Sequence, residues 1–289
     1  MSAGAPSTAS APDSPSELAL GWAWGWVWAF PLLLLTATTV LGPFVWRSGA
    51  ALWACTQTAG CAALLEPYYL QALLQTLWVA GLSTVLALPL ALLACAAVAR
   101  HRGWSSGVRW LAGLGANFAG VPLALSFTLM FGAQGVITQL LGGQAPLQLA
   151  GASGLLVAYV CFQLPLAALL LLAPVQMLEP ALEEAAATLG AGRGHYWRRV
   201  ALPLLAPSLV EVAVLLFANA AAAYATPFAL AGSSANVLAV RLTALVSGDL
   251  FADPRLPALL ALMLFAVLVA VLLMGRLAGR RLALRAGLA

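Results

Sequence analysis

Six mostly apolar stretches, each long enough to cross a bilayer, follow one another along a chain of 289 residues. A spanning helix rises ~1.5 Å per residue and needs about 20 apolar residues to cross ~30 Å of hydrocarbon. The expected spans lie near Trp22–Trp46, Leu73–Ala99, Trp110–Phe131, Leu155–Val175, Leu204–Leu230 and Leu256–Met274. The third is diluted by Asn117, Pro122 and several glycines. Composition agrees: 63% of residues are hydrophobic and 8% charged, against roughly 45–50% and 25% in soluble domains. No soluble globule of this size hides so much apolar surface, so lipid is the expected solvent. The expected fold class is all-α, a polytopic membrane protein with six transmembrane helices and no internal repeat.

Charge placement sets the expected orientation. All 13 basic residues are arginine. With the N-terminus inside, the internal loops hold Arg100, Arg102, Arg109, Arg193, Arg198, Arg199, Arg276, Arg280, Arg281 and Arg285. The outside keeps Arg47, Arg241 and Arg255. Cationic residues concentrate on the cytoplasmic side of membrane proteins, so both termini are expected to be cytoplasmic. The net charge of +4 does not point to nucleic acid, because the arginines form short clusters between apolar runs rather than a phosphate-binding stripe. Trp22, Trp24, Trp26 and Trp28 crowd one end of the first span as an interfacial belt.

The chain divides into a tail, a first span and a main body. Residues 1–20 are rich in Ala, Ser and Pro and carry no basic residue, so a disordered tail is expected rather than a secretory signal. Residues 21–69 form the first transmembrane helix and an external loop, and residues 277–289 a cytoplasmic C-terminal tail. Cys95 and Cys161 fall inside spans as packing residues. Cys55 and Cys61 share the external loop, where a disulfide persists if geometry allows one. Ala133–Leu149 and Gly232–Arg255 carry scattered apolar residues and read as short surface helices or re-entrant pieces.

One polar stretch interrupts the apolar series, from Glu184 to Pro203. Pro180 suits a first helical turn, Glu183 and Glu184 sit where the helix dipole favours acids, and Ala185, Ala186 and Ala187 propagate the helix. Gly190 stands where a left-handed residue ends a helix. A second short helix then carries Tyr196, Trp197, Arg198 and Arg199, with Gly192 at its cap and Pro203 marking the next break. Two short helices at an angle, lying on the membrane surface, are expected.

Glu184-Ala185-Ala186, three residues, Gly190, nine residues, then Val200, one residue and Leu202-Pro203 is a pattern with every anchor filled. It resembles the EAA loop of permease subunits in binding-protein-dependent type I ABC importers, near the polyamine, iron, thiamine and phosphonate group. Thr76-Leu77 and Tyr224-Ala-Thr-Pro-Phe228 look like this family too, and the likeness covers roughly residues 70–276, with the coupling loop at 178–203. The resemblance implies a subunit of the cell inner membrane that pairs with an identical or homologous permease. It implies two cytoplasmic ATP-binding subunits and an external solute-binding protein as partners. Glu184 would be the polar anchor in a groove of the ATPase, Ala185 and Ala186 the close-approach surface, and Gly190 the turn. Tyr196 and Trp197 are expected knobs for that groove, on physical grounds alone.

Other chemistry recedes. Gly103-Trp-Ser-Ser-Gly107 matches a nucleophile-elbow pattern but follows no strand. Gly151-Ala-Ser153-Gly154 resembles an intramembrane serine protease motif, yet His101 and His195, the two histidines, fall in cytoplasmic loops, far from the base position such a serine needs. Without lysine there is no P-loop, so ATP chemistry belongs to another chain and no catalytic residue or cofactor is expected here. A loop that merely rests on anionic headgroups has no need of these spacings. An ion-gradient-driven secondary transporter remains the rival, with Glu211 as its strongest ion-binding candidate. Glu211 lies roughly 12 Å along the fifth span, where a charge must face protein or water. Asn117, Gln163, Glu211, Asn219 and Tyr224 are the candidates for lining a pathway.

Overall fold

A computed structural model describes residues 39, 42–57, 66–99, 105–143, 147–178, 180–248 and 255–285. Every regular element among them is helical. Among the described residues, five helices are long and apolar enough to cross a membrane, or up to six if one bent pair counts as a single span. They run Pro67–Ala99, Val121–Leu140, Ala152–Gln176, Arg193–Ala222 and Arg255–Leu284, and the bent pair joins Ala225–Ser234 to Leu238–Ser247 at 70°.

The chain forms two compact units, residues 1–59 and 60–289. In the first, α1 spans Gly42–Gln57. It occupies the end of the expected first span and part of the expected external loop. Ala50 to Ala54 hold no helix breaker, so the helix outruns the apolar stretch. The rest of that expected span, the tail 1–20 and Cys61 lie outside the described residues.

The second unit holds α2 (Pro67–Ala99), α3 (Ser105–Asn117), α4 (Val121–Phe131), α5 (Val136–Leu140) and α6 (Ala152–Gln176). It continues with α7 (Pro180–Thr188), α8 (Arg193–Tyr196), a π turn (Trp197–Ala201), α9 (Leu202–Ala222), α10 (Ala225–Ala231), α11 (Leu238–Gly248) and α12 (Arg255–Arg285). The buried face of α2 carries Ala72, Thr76, Ala80, Ser83, Ala87, Ala91 and Cys95. These small residues recur every three or four positions, which lets a neighbouring backbone approach closely where lipid gives no hydrophobic drive. α6 answers with Ala158, Phe162, Ala167, Leu171 and Val175. Ala91, Cys95, Leu171, Leu205 and Leu216 share one core cluster at the end nearer the 180–203 loop. Tyr69, Ala72, Leu238 and Leu260 form another at the opposite end.

Two expected spans are broken. The third divides between α3 and α4, where Gly120 takes φ 87° and Pro122 enters the first turn of α4. A residue other than glycine is strained at that angle, and proline suits a turn whose N–H groups have no helical partner. The fifth ends at Ala222, and Ala223 is extended before α10. Pro227 cannot continue a helix from Ala222, but it fits within the first turn of a new one. The two breaks adjoin, because the Gly120 N–H donates to the Thr226 hydroxyl at 3.1 Å. The last span also differs from expectation. It continues as helix to Arg285, because Arg, Leu and Ala outweigh its two glycines as helix formers.

Candidate coupling and pathway sites

The loop folds from its own sequence. α7 begins at Pro180, carries Glu183 in its first turn and ends at Thr188. Gly190 takes φ 77°. Its N–H donates to the Ala187 carbonyl and the Ala191 N–H to the Ala186 carbonyl, both at 2.9 Å. These two bonds are the helix-ending pair that a left-handed C′ glycine allows. Glu183 Oε1 lies 3.4 Å from Arg193 Nε across the turn. Both groups are substantially exposed, so this pair contributes at most about 1 kcal/mol. Fixed backbone geometry holds the elbow; the ion pair adds little.

Past the elbow the structure departs from the expected second break. α8 runs through the π turn into α9 without leaving the helical region, and the Leu202 N–H donates to the Trp197 carbonyl. Pro203 sits in the first turn of α9. The wider π turn relieves the clash that a proline ring makes with the carbonyl four residues back. The second arm of the loop is therefore continuous with a spanning helix.

That continuity bears on the expectation for Tyr196 and Trp197. Tyr196 is 4% exposed, its ring meets Trp197 edge-on at 6.4 Å, and Trp197 packs on the core cluster with Leu205. Trp197, Ala201 and Leu205 fall at helical spacing, so the buried stripe of α9 extends backwards through them. They support the loop from beneath. The groups that project are Glu184, Ala185, Gly190, His195, Arg198 and Pro203, all exposed, with Ala186 and Leu202 half-buried. Leu189 projects as well, at 86% exposure. It is absent from the sequence-derived candidates; a leucine directly before a C′ glycine is the available signal. Gly194, His195, Arg198 and Arg199 line a shallow concavity.

The pathway candidates separate. Gln163 is wholly buried, so it does not line an open path. Its amide nitrogen donates to Ser83 Oγ at 2.9 Å, and its carbonyl oxygen lies 3.4 Å from the Thr84 hydroxyl. It clamps α6 to α2. Asn117 is exposed and donates to the Gly113 carbonyl at 2.8 Å, within a turn of the first break. Asn219 is exposed within a turn of the second break, where half-buried Tyr224 stacks on Phe228 at 5.1 Å. Glu211 is exposed on a cleft of about 210 Å³ between α9 and α12, opposite Arg276.

No protein-family model matches the sequence. The putative ferric transport system permease FbpB 1 of Haemophilus influenzae is 28% identical over 131 residues, 44% of this chain and 21% of its own length. The thiamine transport system permease ThiP of Escherichia coli is 29% identical over 237 residues, 79% of this chain. The chain spans only 44% of that relative's length. A bacterial alginate ABC transporter, solved with an alginate pentasaccharide-bound periplasmic protein, contains a chain of the same fold. The TM-score is 0.72 at 17% identity, covering 92% of this chain and 96% of that one. Loop pattern, relatives and fold agree: this multi-pass membrane protein is similar to permease subunits of ABC transport systems.

Proposed function

We propose that the chain is the permease subunit of an ABC importer and forms part of a solute pathway across the cell inner membrane. Two such subunits, identical or homologous, enclose the path. An external binding protein delivers solute, and two cytoplasmic ATP-binding subunits hydrolyse ATP that this chain does not. Both termini and the 180–203 loop are cytoplasmic in this reading. Glu184, Ala185, Ala186, Gly190 and Arg198 then face the ATPase, while Leu202 and Pro203 pass its motion into α9.

One observation carries the reading: the elbow at Gly190 is closed by two backbone hydrogen bonds and exposed, and its second arm is continuous with a spanning helix. Movement imposed on α8 is therefore carried into α9, since the π turn joins the two without a break. Asn117, Asn219 and Tyr224, beside the two adjoining breaks, are the pathway residues this arrangement favours. The first solutes to test are thiamine and ferric iron, which the names of the relatives carry. Uptake into vesicles that contain the full assembly, ATP and no ion gradient tests the proposal. ATP-dependent uptake is expected; uptake driven by a gradient in the absence of any ATPase subunit would overturn it in favour of a secondary transporter.

A further inference from the structure

Two threonines in stretches that resemble the family, Thr76 and Thr226, have no part in the coupling loop. They are 4% and 2% exposed. Thr76 donates its hydroxyl proton to the Ala72 carbonyl at 2.7 Å, as threonine does in many helices. Its oxygen then accepts a second bond, from the Leu238 N–H at 2.8 Å. Leu238 is wholly buried and opens α11, the second arm of the bent pair. Thr226 accepts the Gly120 N–H at 3.1 Å, at the start of α4. In each case a hydroxyl from one segment satisfies a backbone donor that a break in another segment has left without a helical partner.

The geometry points to Thr76 and Thr226 as positioning residues for the pathway: each pins a broken helix to the neighbouring span through one side-chain oxygen. The functional half of this assignment rests on the permease reading, while the structural half stands without it. In an apolar surround an unpaired N–H has no water to turn to, so broken backbone persists only where protein supplies the acceptor. Around Thr76 the same end of α2 makes two further contacts with the bent pair. Asn236 Nδ2 lies 3.4 Å from Gln75 Oε1, and the Arg241 guanidinium sits 4.5 Å over the Tyr68 ring. Tyr68, Gln75 and Thr76 thus seat the bend and the first turn of α11. The Gly120–Thr226 bond joins the two breaks that Asn117, Asn219 and Tyr224 flank. Loss of either hydroxyl frees a wall of the proposed path while leaving the coupling loop untouched.

The test compares Thr76→Val and Thr226→Val, which keep size but lose the acceptor, with Thr76→Ser and Thr226→Ser, which keep it. Amide hydrogen exchange is read on the full assembly in nanodiscs, in peptides that cover Leu238 and Gly120. Each valine variant should exchange about tenfold faster at its own site, the scale expected for an orphaned buried donor, and each serine variant should stay near wild type. ATP-driven uptake should fall several-fold in the valine variants and recover with serine, with the ATPase subunits still co-purifying. Unchanged exchange in both valine variants, or serine variants as impaired as valine, would overturn the pinning. Faster exchange with unaltered uptake would overturn the pathway role. A wild-type assembly without ATP-driven uptake would instead count against the permease reading, and exchange would still decide the pinning.

Discussion

Gln163 and Glu183 show how a polar residue in an apolar chain is read by its partners. Both ends of the Gln163 amide meet α2, through Ser83 and Thr84, and interhelical hydrogen bonds in membranes contribute about 0.6–2 kcal/mol. Gln163→Ala should therefore lower the unfolding temperature of the detergent-solubilised protein and leave the solute concentration for half-maximal uptake unchanged. A shifted half-saturation at unchanged stability would return Gln163 to the pathway. Glu183 and Glu184 are adjacent but face different tasks. Glu183 pairs with Arg193 inside the loop, whereas Glu184 is exposed. Glu183→Gln should cost little in assembly, while Glu184→Arg should abolish co-purification of the ATPase subunits. Equal effects of the two substitutions would mean the exposed carboxylate is not the anchor.

At the scale of elements, the elbow at Gly190 is the part of the candidate site that the sequence made legible. Proline at a helix start, three alanines and a glycine after Leu189 dictate a helix with a left-handed stop, and the backbone forms it. A β-branched residue at φ 77° costs at least roughly 1–2 kcal/mol, whereas asparagine tolerates that conformation. Co-purification of the ATPase subunits should thus decline in the order Gly190, Gly190→Asn, Gly190→Val; valine equal to glycine would show that the turn is not required. The second arm was not legible. Pro203 ordinarily signals a break, and only the widened turn before it, a tertiary feature, lets the helix continue. The breaks at Phe118–Gly120 and Ala223–Tyr224 had local signals in Pro122 and Pro227. Apolar length nonetheless predicts one dilute span and one intact span there. The burial of Tyr196 and the half-burial of Trp197 have their cause in the second arm, since a helix that continues keeps its buried stripe.

For the whole molecule, the arginine distribution and the fold make one prediction about sidedness. The loop containing His195 should lie in the cytoplasm and the α11 end of the bent pair outside. Single cysteines introduced as His195→Cys and Ser247→Cys, in a background lacking the native thiols, should react oppositely with a membrane-impermeant reagent added to intact cells. Ser247→Cys labels and His195→Cys does not; the reverse pattern would invert the topology and remove the coupling role. Within that frame, the hydrogen-bonded elbow exposes Leu189 at 86%, and its second arm runs on into a spanning helix. A photoreactive side chain at position 189, activated in membranes that contain the assembled complex, probes that arrangement most directly. A covalent adduct with the ATP-hydrolysing subunit, its yield changing with bound nucleotide, is the predicted result. Adducts with lipid alone, in membranes that still carry out ATP-driven uptake, would contradict it.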